Sequence, residues 1–495
     1  MKRKRIFLTG ATGTMGGAAL AKFLEQPERF DVVILALPIP ESRARLARYQ
    51  AHKNLTVVWG DLTHYEDVLK CVSDADYVLH PAAFVAPAAD HDPETAWKIN
   101  VGSAANIVKA IWAQPNPHAI KLVSIGTVAE TGDRLPPIHV GRTGDPLKPS
   151  IFDMYACSKI AAERIVAESG LRYWVSLRQT FIATANLPQD PIMFHQPINT
   201  CLELVTAREA GLVLVNACAD DLPDSFWRRF YNIGGGPKSR LTYLDLIKKA
   251  LALSGIDDYT QVYKRKWFAL RNFHCHWFED AYILNQYLRH QVDGADGFYR
   301  ALAASNKPIQ VFAARLAPKH ILKDRAFRLL AEDTPDCTQY WFEHKMDMRI
   351  SAFYKSRATF ESIPDWGVDM PEEPDWYNYR RLDHGYDESK PTTELDLLDM
   401  QGAAHFRGGV CLSTAMKTGD LFARLRWQCA FGHEFEATPN LVLKGGHWCP
   451  ECAPPGWNYD EQARRNPFFA QVWYPNHDPT ENNVYPSDCC NDILV

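Results

Sequence analysis

The stretch TGATGTMG at residues 9–16 decides the fold of the N-terminal half of this chain. It follows a short apolar run at residues 6–8 and leads into helical apolar spacing through residues 20–24. Glycines in such a turn let the backbone approach a pyrophosphate, whose charge is favoured at the helix N-terminus. The pattern therefore predicts a strand, a turn and a helix that bind a nucleotide. The residues expected to line that site are Gly10, Thr12, Gly13, Thr14, Met15 and Gly16.

Apolar runs and helical stretches alternate beyond this turn. The runs at 32–35, 56–59, 77–80 and 121–124 predict strands, and helices are predicted between them and at 159–168. Strands that alternate with helices imply a parallel sheet covered by helices on both faces. We therefore predict an α/β fold with a Rossmann-type doubly wound parallel sheet and a small substrate subdomain.

A second feature lies about 140 residues further on, where Tyr155 and Lys159 stand one helical turn apart. At that spacing both side chains leave the same face of a helix. An ammonium group near a phenol favours the phenolate and is expected to lower its pKa. Tyr155 is therefore predicted to act as an acid/base and Lys159 to activate it.

These motifs resemble, over roughly residues 5–255, the extended short-chain dehydrogenase/reductase family, which includes the NAD-dependent epimerases and dehydratases. The resemblance extends to Gly60-Asp61-Leu62, to His80-Pro81-Ala82-Ala83 and to the strand 177–180. It implies that Asp61 and Leu62 contact adenine and that Ala82 and Ala83 lie beside the cofactor. It also implies hydride transfer between a nicotinamide and a substrate carbon, with Tyr155 exchanging the proton and Lys159 contacting the nicotinamide ribose.

The chain departs from this pattern at the hydroxyl that usually binds the substrate oxygen. Ile125 stands at the expected position, and Ser124 and Thr127 flank it. We expect Ser124 to supply the hydroxyl, because it needs the smaller displacement, and Thr127 remains the alternative. Tyr155 alone is a third way of stabilising the oxygen.

The end of the second strand favours NADP over NAD. An acidic residue there would accept the ribose hydroxyls, but the chain has Ala36-Leu37-Pro38. Arg43 and Arg45 follow and are candidates for binding a 2′-phosphate. In the alternative interpretation both arginines only solvate their helix, and NAD is the cofactor.

The reaction is less well determined by the sequence. The stretch 178–186 lacks the Gly-Pro pair of relatives that bind nucleotide sugars, and residues 191–194 are apolar. We therefore expect a partly hydrophobic carbonyl or secondary alcohol as the small-molecule substrate. Two alternatives are a nucleotide-sugar epimerase or dehydratase with tightly bound NAD, and an NADP-sensing regulatory protein whose zinc ribbon contacts nucleic acid.

The C-terminal part carries a metal-binding pattern, in which Cys429 and His433 are followed by Cys449 and Cys452. Three thiolates and one imidazole suit tetrahedral zinc and leave no open position for catalysis. The stretch 408–452 resembles zinc-ribbon modules, so a structural zinc is predicted, with His447 as a rival ligand. The local charge is not strongly basic, and nucleic acid is therefore not expected as a partner.

Length and composition set the remaining expectations. A chain of 495 residues is expected to form more than one domain, and its net charge of -5 gives no reason to expect anionic partners. We predict a nucleotide-binding domain (1–255), an aromatic-rich extension (256–365), a linker (366–400) and a zinc-ribbon domain (401–495). No apolar run is long enough to span a membrane, and most of the 12 cysteines are scattered singly, so a cytoplasmic protein with free thiols is predicted. The resemblance adds the expectation of a homodimer.

Overall fold

The computed structural model describes residues 3–185, 189–453 and 457–493. Asn186, the last residue of the loop considered above, lies outside the described residues. Within the described ranges, no helix is both long enough and apolar enough to cross a bilayer.

The strands occur in both the N-terminal and the C-terminal part of the chain. They are β1 (Lys4–Leu8), β2 (Phe30–Ala36), β3 (Leu55–Trp59), β4 (Tyr77–His80), β5 (Lys121–Thr127), β6 (Val140–Gly141), β7 (Tyr173–Gln179), β8 (Ile182–Ala183), β9 (Cys201–Glu203), β10 (Val205–Thr206), β11 (Arg229–Ile233), β12 (Arg240–Thr242), β13 (Trp277–Phe278), β14 (Val410–Cys411), β15 (Leu425–Gln428) and β16 (Glu434–Ala437).

The α-helices lie between and after these strands. They are α1 (Thr14–Leu24), α2 (Pro40–Leu46), α3 (Tyr65–Val72), α4 (Ala88–His91), α5 (Pro93–Ala96), α6 (Gly102–Trp112), α7 (Met154–Ala167), α8 (Ile192–His195), α9 (Ala207–Asn216), α10 (Tyr243–Leu253), α11 (Ala281–Leu288), α12 (Gly294–Ser305), α13 (Pro308–Leu316), α14 (Lys319–Leu322), α15 (Leu329–Glu332), α16 (Thr338–Glu343), α17 (Asp347–Tyr354), α18 (Arg357–Glu361), α19 (Leu397–Phe406), α20 (Tyr459–Arg465) and α21 (Pro467–Trp473).

Seven strands form one parallel sheet in the order β11-β7-β5-β4-β1-β2-β3. Its central strands are nearly continuous apolar runs, because helices cover both faces. The helices α1 and α9 pack on one face, and α3, α6 and α7 pack on the other. The predicted Rossmann-type fold is confirmed.

The C-terminal part shares hydrophobic cores with the sheet rather than forming a separate core. Trp427 and residues 441–443 belong to the same buried cluster as Ile107 of α6 and Trp174 of β7. We refer to residues 397–453, which comprise α19, the β14-β15-β16 sheet and the loop after it, as the C-terminal module. Its first helix begins inside the segment that the sequence suggested as a linker.

Candidate active site

The phosphate loop depends on close contacts between backbone segments. Gly10 has a φ of +60°, and a Cβ there would lie 2.9 Å from the amide nitrogen of Ala82. A Cβ on Gly16 would lie 2.3 Å from the carbonyl oxygen of Gly10. Gly13 is the N-cap of α1 and brings no side chain to its amides. The first turn of α1 can therefore receive an anionic group, as predicted from the sequence.

The other residues predicted to bind the cofactor lie around this loop. Arg45 donates a hydrogen bond to the carbonyl oxygen of Thr12 at 2.6 Å, and the Arg43 guanidinium lies 4.4 Å from the centre of the Trp59 ring. Asp61 accepts a hydrogen bond from the amide of Thr63. Leu62 accepts a hydrogen bond through its carbonyl from Asn106. Thr14 is exposed, whereas Met15 is buried beneath the turn.

The end of β4 is fixed against the loop by a buried histidine. Thr9 Oγ1 accepts a hydrogen bond from the amide of Ala82 and lies 3.0 Å from His80 Nδ1. His80 Nε2 lies 3.2 Å from the Ser103 hydroxyl. Burial, together with the charge of Lys159, lowers the pKa of His80 to about 3, so the ring is neutral. These bonds hold Ala82 and the adjoining Ala83 at the carboxyl end of the sheet.

Tyr155 and Lys159 both lie on α7, as the spacing predicts. Asp153 caps this helix by accepting a hydrogen bond from the amide of Ala156 at 2.8 Å. Lys159 is buried, and burial lowers its pKa while Glu130 and Glu163 oppose that shift. Burial also raises the pKa of Tyr155, and a hydrogen bond with the Thr127 side chain opposes this. The expectation that Lys159 holds the pKa of Tyr155 below its ordinary value is therefore not met, because desolvation dominates.

The two candidate hydroxyls lie on the same strand, β5. Ser124 is buried in the sheet, where it pairs with His80 on β4 and Ser176 on β7. Thr127 is the last residue of β5, and its side chain is hydrogen-bonded to the Tyr155 phenol. The structure thus brings Thr127, the alternative hydroxyl, to Tyr155, and a substrate role for Ser124 stays a prediction.

A cluster of buried charges lies behind this centre, and the sequence reasoning missed it. Arg178 of β7 lies 2.6 Å from a Glu163 oxygen and 3.1 Å from a Glu130 oxygen, and all three side chains are buried. Glu130 also accepts a hydrogen bond from the Thr127 amide at 2.8 Å. A Cβ at position 126 would lie 2.8 Å from the Glu130 carboxylate, so a side chain there would displace that carboxylate. An arginine within an apolar strand was the one signal that a buried carboxylate must lie nearby.

The two carboxyl groups of this cluster differ in pKa. Burial and the neighbouring Glu163 raise the pKa of Glu130 to about 8. Burial opposes the ionisation of Glu163, but Arg178 and His447 outweigh burial and hold its pKa well below the ordinary value. At neutral pH Glu130 is therefore protonated and Glu163 is ionised.

The four predicted metal ligands converge in the C-terminal module. Cys429, His433, Cys449 and Cys452 offer ligand atoms that all lie within 4.8 Å of one another. The Cys452 sulfur lies 3.4 Å from His433 Nδ1 and 3.6 Å from the Cys429 sulfur. Ligands about 2.3 Å from a tetrahedral zinc would be about 3.8 Å apart, so this donor set fits zinc. His447, the rival ligand, instead contacts Glu163 at 2.8 Å.

A cavity opens at the N-terminal end of α7. Its lining includes the apolar residues Pro87, Ile151 and Ile192 and the carboxyl groups of Asp90, Asp153, Asp190 and Asp336. Burial and the neighbouring Asp153 raise the pKa of Asp90 well above its ordinary value. The lining is thus more charged than the apolar run at 191–194 suggested, because loops distant in sequence contribute the polar groups.

The histidines at 274 and 276 have separate hydrogen-bonding partners. His274 contacts Asp153 at 3.2 Å, and His276 contacts the Thr131 hydroxyl at 3.1 Å. Both are engaged in packing and hydrogen bonding.

Comparison with known proteins agrees with this geometry. Residues 6–186 match the model of the NAD dependent epimerase/dehydratase family. The 3 beta-hydroxysteroid dehydrogenase type 7 of Rattus norvegicus is 25% identical over 171 residues, which are 34% of this chain and 50% of that protein. The 3-beta-hydroxysteroid dehydrogenase of Mycolicibacterium neoaurum is 27% identical over 170 residues, which are 33% of this chain and 42% of that protein. The chain thus spans half or less of the length of these curated relatives.

The match to this family is confined to residues 6–186, which lie in the N-terminal half of the chain. Among solved structures, DesIV (dTDP-glucose 4,6-dehydratase) of Streptomyces venezuelae with NAD and TYD bound is 21% identical. That match covers 60% of this chain and 95% of DesIV, with a TM-score of 0.49.

Proposed function

We propose that this protein is an NAD(P)-dependent oxidoreductase that transfers a hydride between a nicotinamide and a carbonyl or secondary alcohol. The observation that carries this proposal is the hydrogen bond between Thr127 and the Tyr155 phenol, one helical turn from the buried Lys159. This group adjoins β5, whose neighbour β4 ends beside the phosphate loop. Proton transfer and nucleotide binding would thus occur at the same edge of the sheet.

The residues of the loop fit a dinucleotide. The positions of Gly10 and Gly16 exclude side chains, and the first turn of α1 has amides to offer a pyrophosphate. When bound, the nicotinamide nucleotide supplies or accepts the hydride. Arg45 lies next to Thr12 of the phosphate loop and Arg43 lies over Trp59, which supports NADP as the preferred form, with NAD as the alternative.

The Tyr155 phenol is proposed to exchange a proton with the substrate oxygen. Because burial raises its pKa, the phenol keeps its proton at neutral pH and can donate it to an oxygen that gains negative charge during reduction. Thr127 orients the phenol. Lys159 would hold a positive charge near the developing oxyanion and the nicotinamide ribose.

A structural zinc is proposed for the C-terminal module. Cys429, His433, Cys449 and Cys452 would complete its coordination, which leaves no position for a substrate. A metal held by these residues would fix the turn after β15 to the loop after β16, and so stabilise the module.

Turnover by a Tyr155→Phe variant tests the proposed reaction. The purified protein is incubated with NADPH or NADH and a panel of ketones, aldehydes and secondary alcohols, and product is followed by mass spectrometry. We expect kcat to fall about 1,000-fold or more in the variant, while the dissociation constant for the nucleotide changes little. Equal turnover by both proteins would contradict the proposed role of Tyr155.

A nucleotide-sugar epimerase or dehydratase is the second candidate, since the family model includes both classes. Such an enzyme would regenerate its cofactor in each cycle. Release of bound nucleotide from the denatured protein, with product formed without added cofactor, would favour this candidate over a simple oxidoreductase.

A further inference from the structure

We propose that the C-terminal module is part of the catalytic centre, with His447 as a positioning residue that acts on Tyr155 and Lys159 through Glu163, Arg178 and Glu130. This inference rests on the proposed function, because it assumes that Tyr155 and Lys159 carry the proton transfer. It concerns a region outside the part of the chain that matches the family model.

The loop that carries His447 is built to come close to the sheet. Gly446 has a φ of +74°, and a Cβ there would lie 2.0 Å from the carbonyl oxygen of Asp145. A Cβ on Gly445 would lie 2.8 Å from the Phe230 ring on β11. These two glycines therefore let the loop approach the sheet more closely than any other residues would allow.

The loop then contacts both members of the Arg178–Glu163 pair. The carbonyl oxygen of Gly445 accepts a hydrogen bond from Arg178 Nη2 at 2.6 Å. His447 Nε2 lies 2.8 Å from Glu163 Oε1. An ionised carboxylate can only accept hydrogen bonds, so the Nε2–H of His447 is the donor to Glu163.

These contacts make the two carboxyl groups of the cluster unequal. Glu163 accepts hydrogen bonds from Ser176, from two nitrogens of Arg178 and from His447. Glu130 accepts one from the amide of Thr127 and pairs with Arg178 at 3.1 Å. Donors stabilise the ionised form of a carboxyl, so the negative charge stays on Glu163 and the proton stays on Glu130.

The protonation state of Glu130 affects the pKa values of Tyr155 and Lys159. Charge on Glu130 would raise the pKa values of both Tyr155 and Lys159. The charged groups that face Glu130 are Glu163 and Lys159 on α7 and Arg178 on β7. The module thus acts on the field at the catalytic pair through Arg178 and Glu163, which its loop contacts directly.

The test compares two substitutions that each remove one hydrogen bond between the module and α7. His447→Ala removes the donor to Glu163. Thr438→Val removes the hydroxyl that donates to Glu168 at 2.6 Å, near the C-terminus of α7 and away from the cluster. We measure kcat as a function of pH with the substrate found for the full-length wild-type enzyme.

We expect the kcat of the wild type to change as the pH passes about 8, where Glu130 loses its proton. This change forms one limb of the pH profile. His447→Ala should move that limb to higher pH by about one unit, because the carboxyl pair loses a donor that stabilises its ionised form and therefore binds its remaining proton more tightly. Thr438→Val should leave the limb in place. His447→Gln retains an N–H donor and should restore much of the wild-type profile.

A double substitution makes the inference falsifiable even if His447→Ala lowers stability. Glu130→Gln should abolish the limb, and adding His447→Ala should then have no further effect on the shape of the profile. A His447→Ala profile that overlays the wild type, or a limb that survives Glu130→Gln, would overturn the proposal. Absence of turnover by the wild type with any nucleotide and substrate would instead count against the proposed function.

Discussion

The phosphate loop and the buried charge cluster are built in opposite ways. The close contacts of the loop at residues 9–16 involve its own glycines and the segment that directly follows β4. The cluster joins Glu163 to His447, which is 284 positions away, and Arg178 to Gly445, which is 267 positions away. The loop can tolerate changes elsewhere in the chain, whereas the cluster depends on two regions being correctly packed together.

This difference follows from what each region must hold. A backbone cradle for an anion requires space and free amide groups, which glycine provides locally. Buried charges require compensating charges and hydrogen bonds from several directions, because each unpaired charge is costly in a low-dielectric interior. The C-terminal module supplies some of these partners.

The largest expected effect concerns the arginine at the centre of the cluster. Arg178→Met would leave Glu130 and Glu163 buried without their shared cation, and the free energy of unfolding should fall by about 3–5 kcal/mol. Arg164→Met is the matched control, since Arg164 also joins α7 to the module but donates to the carbonyl oxygens of Trp448 and Glu436. It should cost about 1 kcal/mol per lost hydrogen bond, measured by urea unfolding. Equal losses would show that the cluster has no special role in stability.

A glycine substitution should affect the loop alone. Gly16→Ala places a methyl group 2.3 Å from the Gly10 carbonyl oxygen, so the turn must open and nucleotide affinity should fall about 100-fold. Gly102→Ala is the control, because a Cβ there meets no atom within 4 Å among the described residues. Fluorescence titration with NADPH would show this difference, and unchanged binding by Gly16→Ala would contradict the assignment of the loop.

The stability of the cluster should depend on pH in a direction set by Glu130. Its pKa is raised in the folded protein to about 8 from an ordinary value of 4.5, so its stabilising contribution is present below pH 4.5 and is lost as the pH rises through 8. The melting temperature of the wild type relative to Glu130→Gln should therefore fall between pH 5 and pH 8. Glu436→Gln, on the exposed face of β16, should show no such trend. A rising or flat difference for Glu130→Gln would contradict the protonated state of Glu130.

The smallest expected effect distinguishes the two cofactors. Arg43→Ala should weaken NADPH binding about tenfold and leave NADH binding nearly unchanged, because only the 2′-phosphate would lose a charged donor. Arg48→Ala is a fitting control, since Arg48 also stacks on an aromatic ring, that of Tyr49, but lies just beyond the end of α2. Equal weakening of both nucleotides would favour a general role of Arg43 in the fold.

The sequence predicted what depends on local pattern. Alternating apolar runs located the strands of the parallel sheet, and the glycine spacing located the phosphate loop. Tyr155 and Lys159 were found because helical spacing puts them on one face. The convergence of Cys429, His433, Cys449 and Cys452 was predicted because their spacing along the chain is itself characteristic of zinc sites.

What could not be predicted depends on contacts between distant segments. No local pattern links Glu163 to His447, and the latter was considered only as a metal ligand. The choice between Ser124 and Thr127 depends on where β5 ends relative to α7, which spacing does not determine. The raised pKa of Tyr155 depends on how deeply the phenol is buried.

Hydrogen–deuterium exchange would show whether the two regions work as one unit. We would compare the wild type with Cys449→Ser, which loses a predicted zinc ligand, and with Cys411→Ser, a buried cysteine of the same module outside the ligand set. We predict faster amide exchange in α7 for Cys449→Ser alone, with the peptide that covers the phosphate loop and α1 unchanged in all three proteins. Unchanged protection of α7 in Cys449→Ser, with exchange increased only inside the module, would contradict the proposal that the module is part of the catalytic centre.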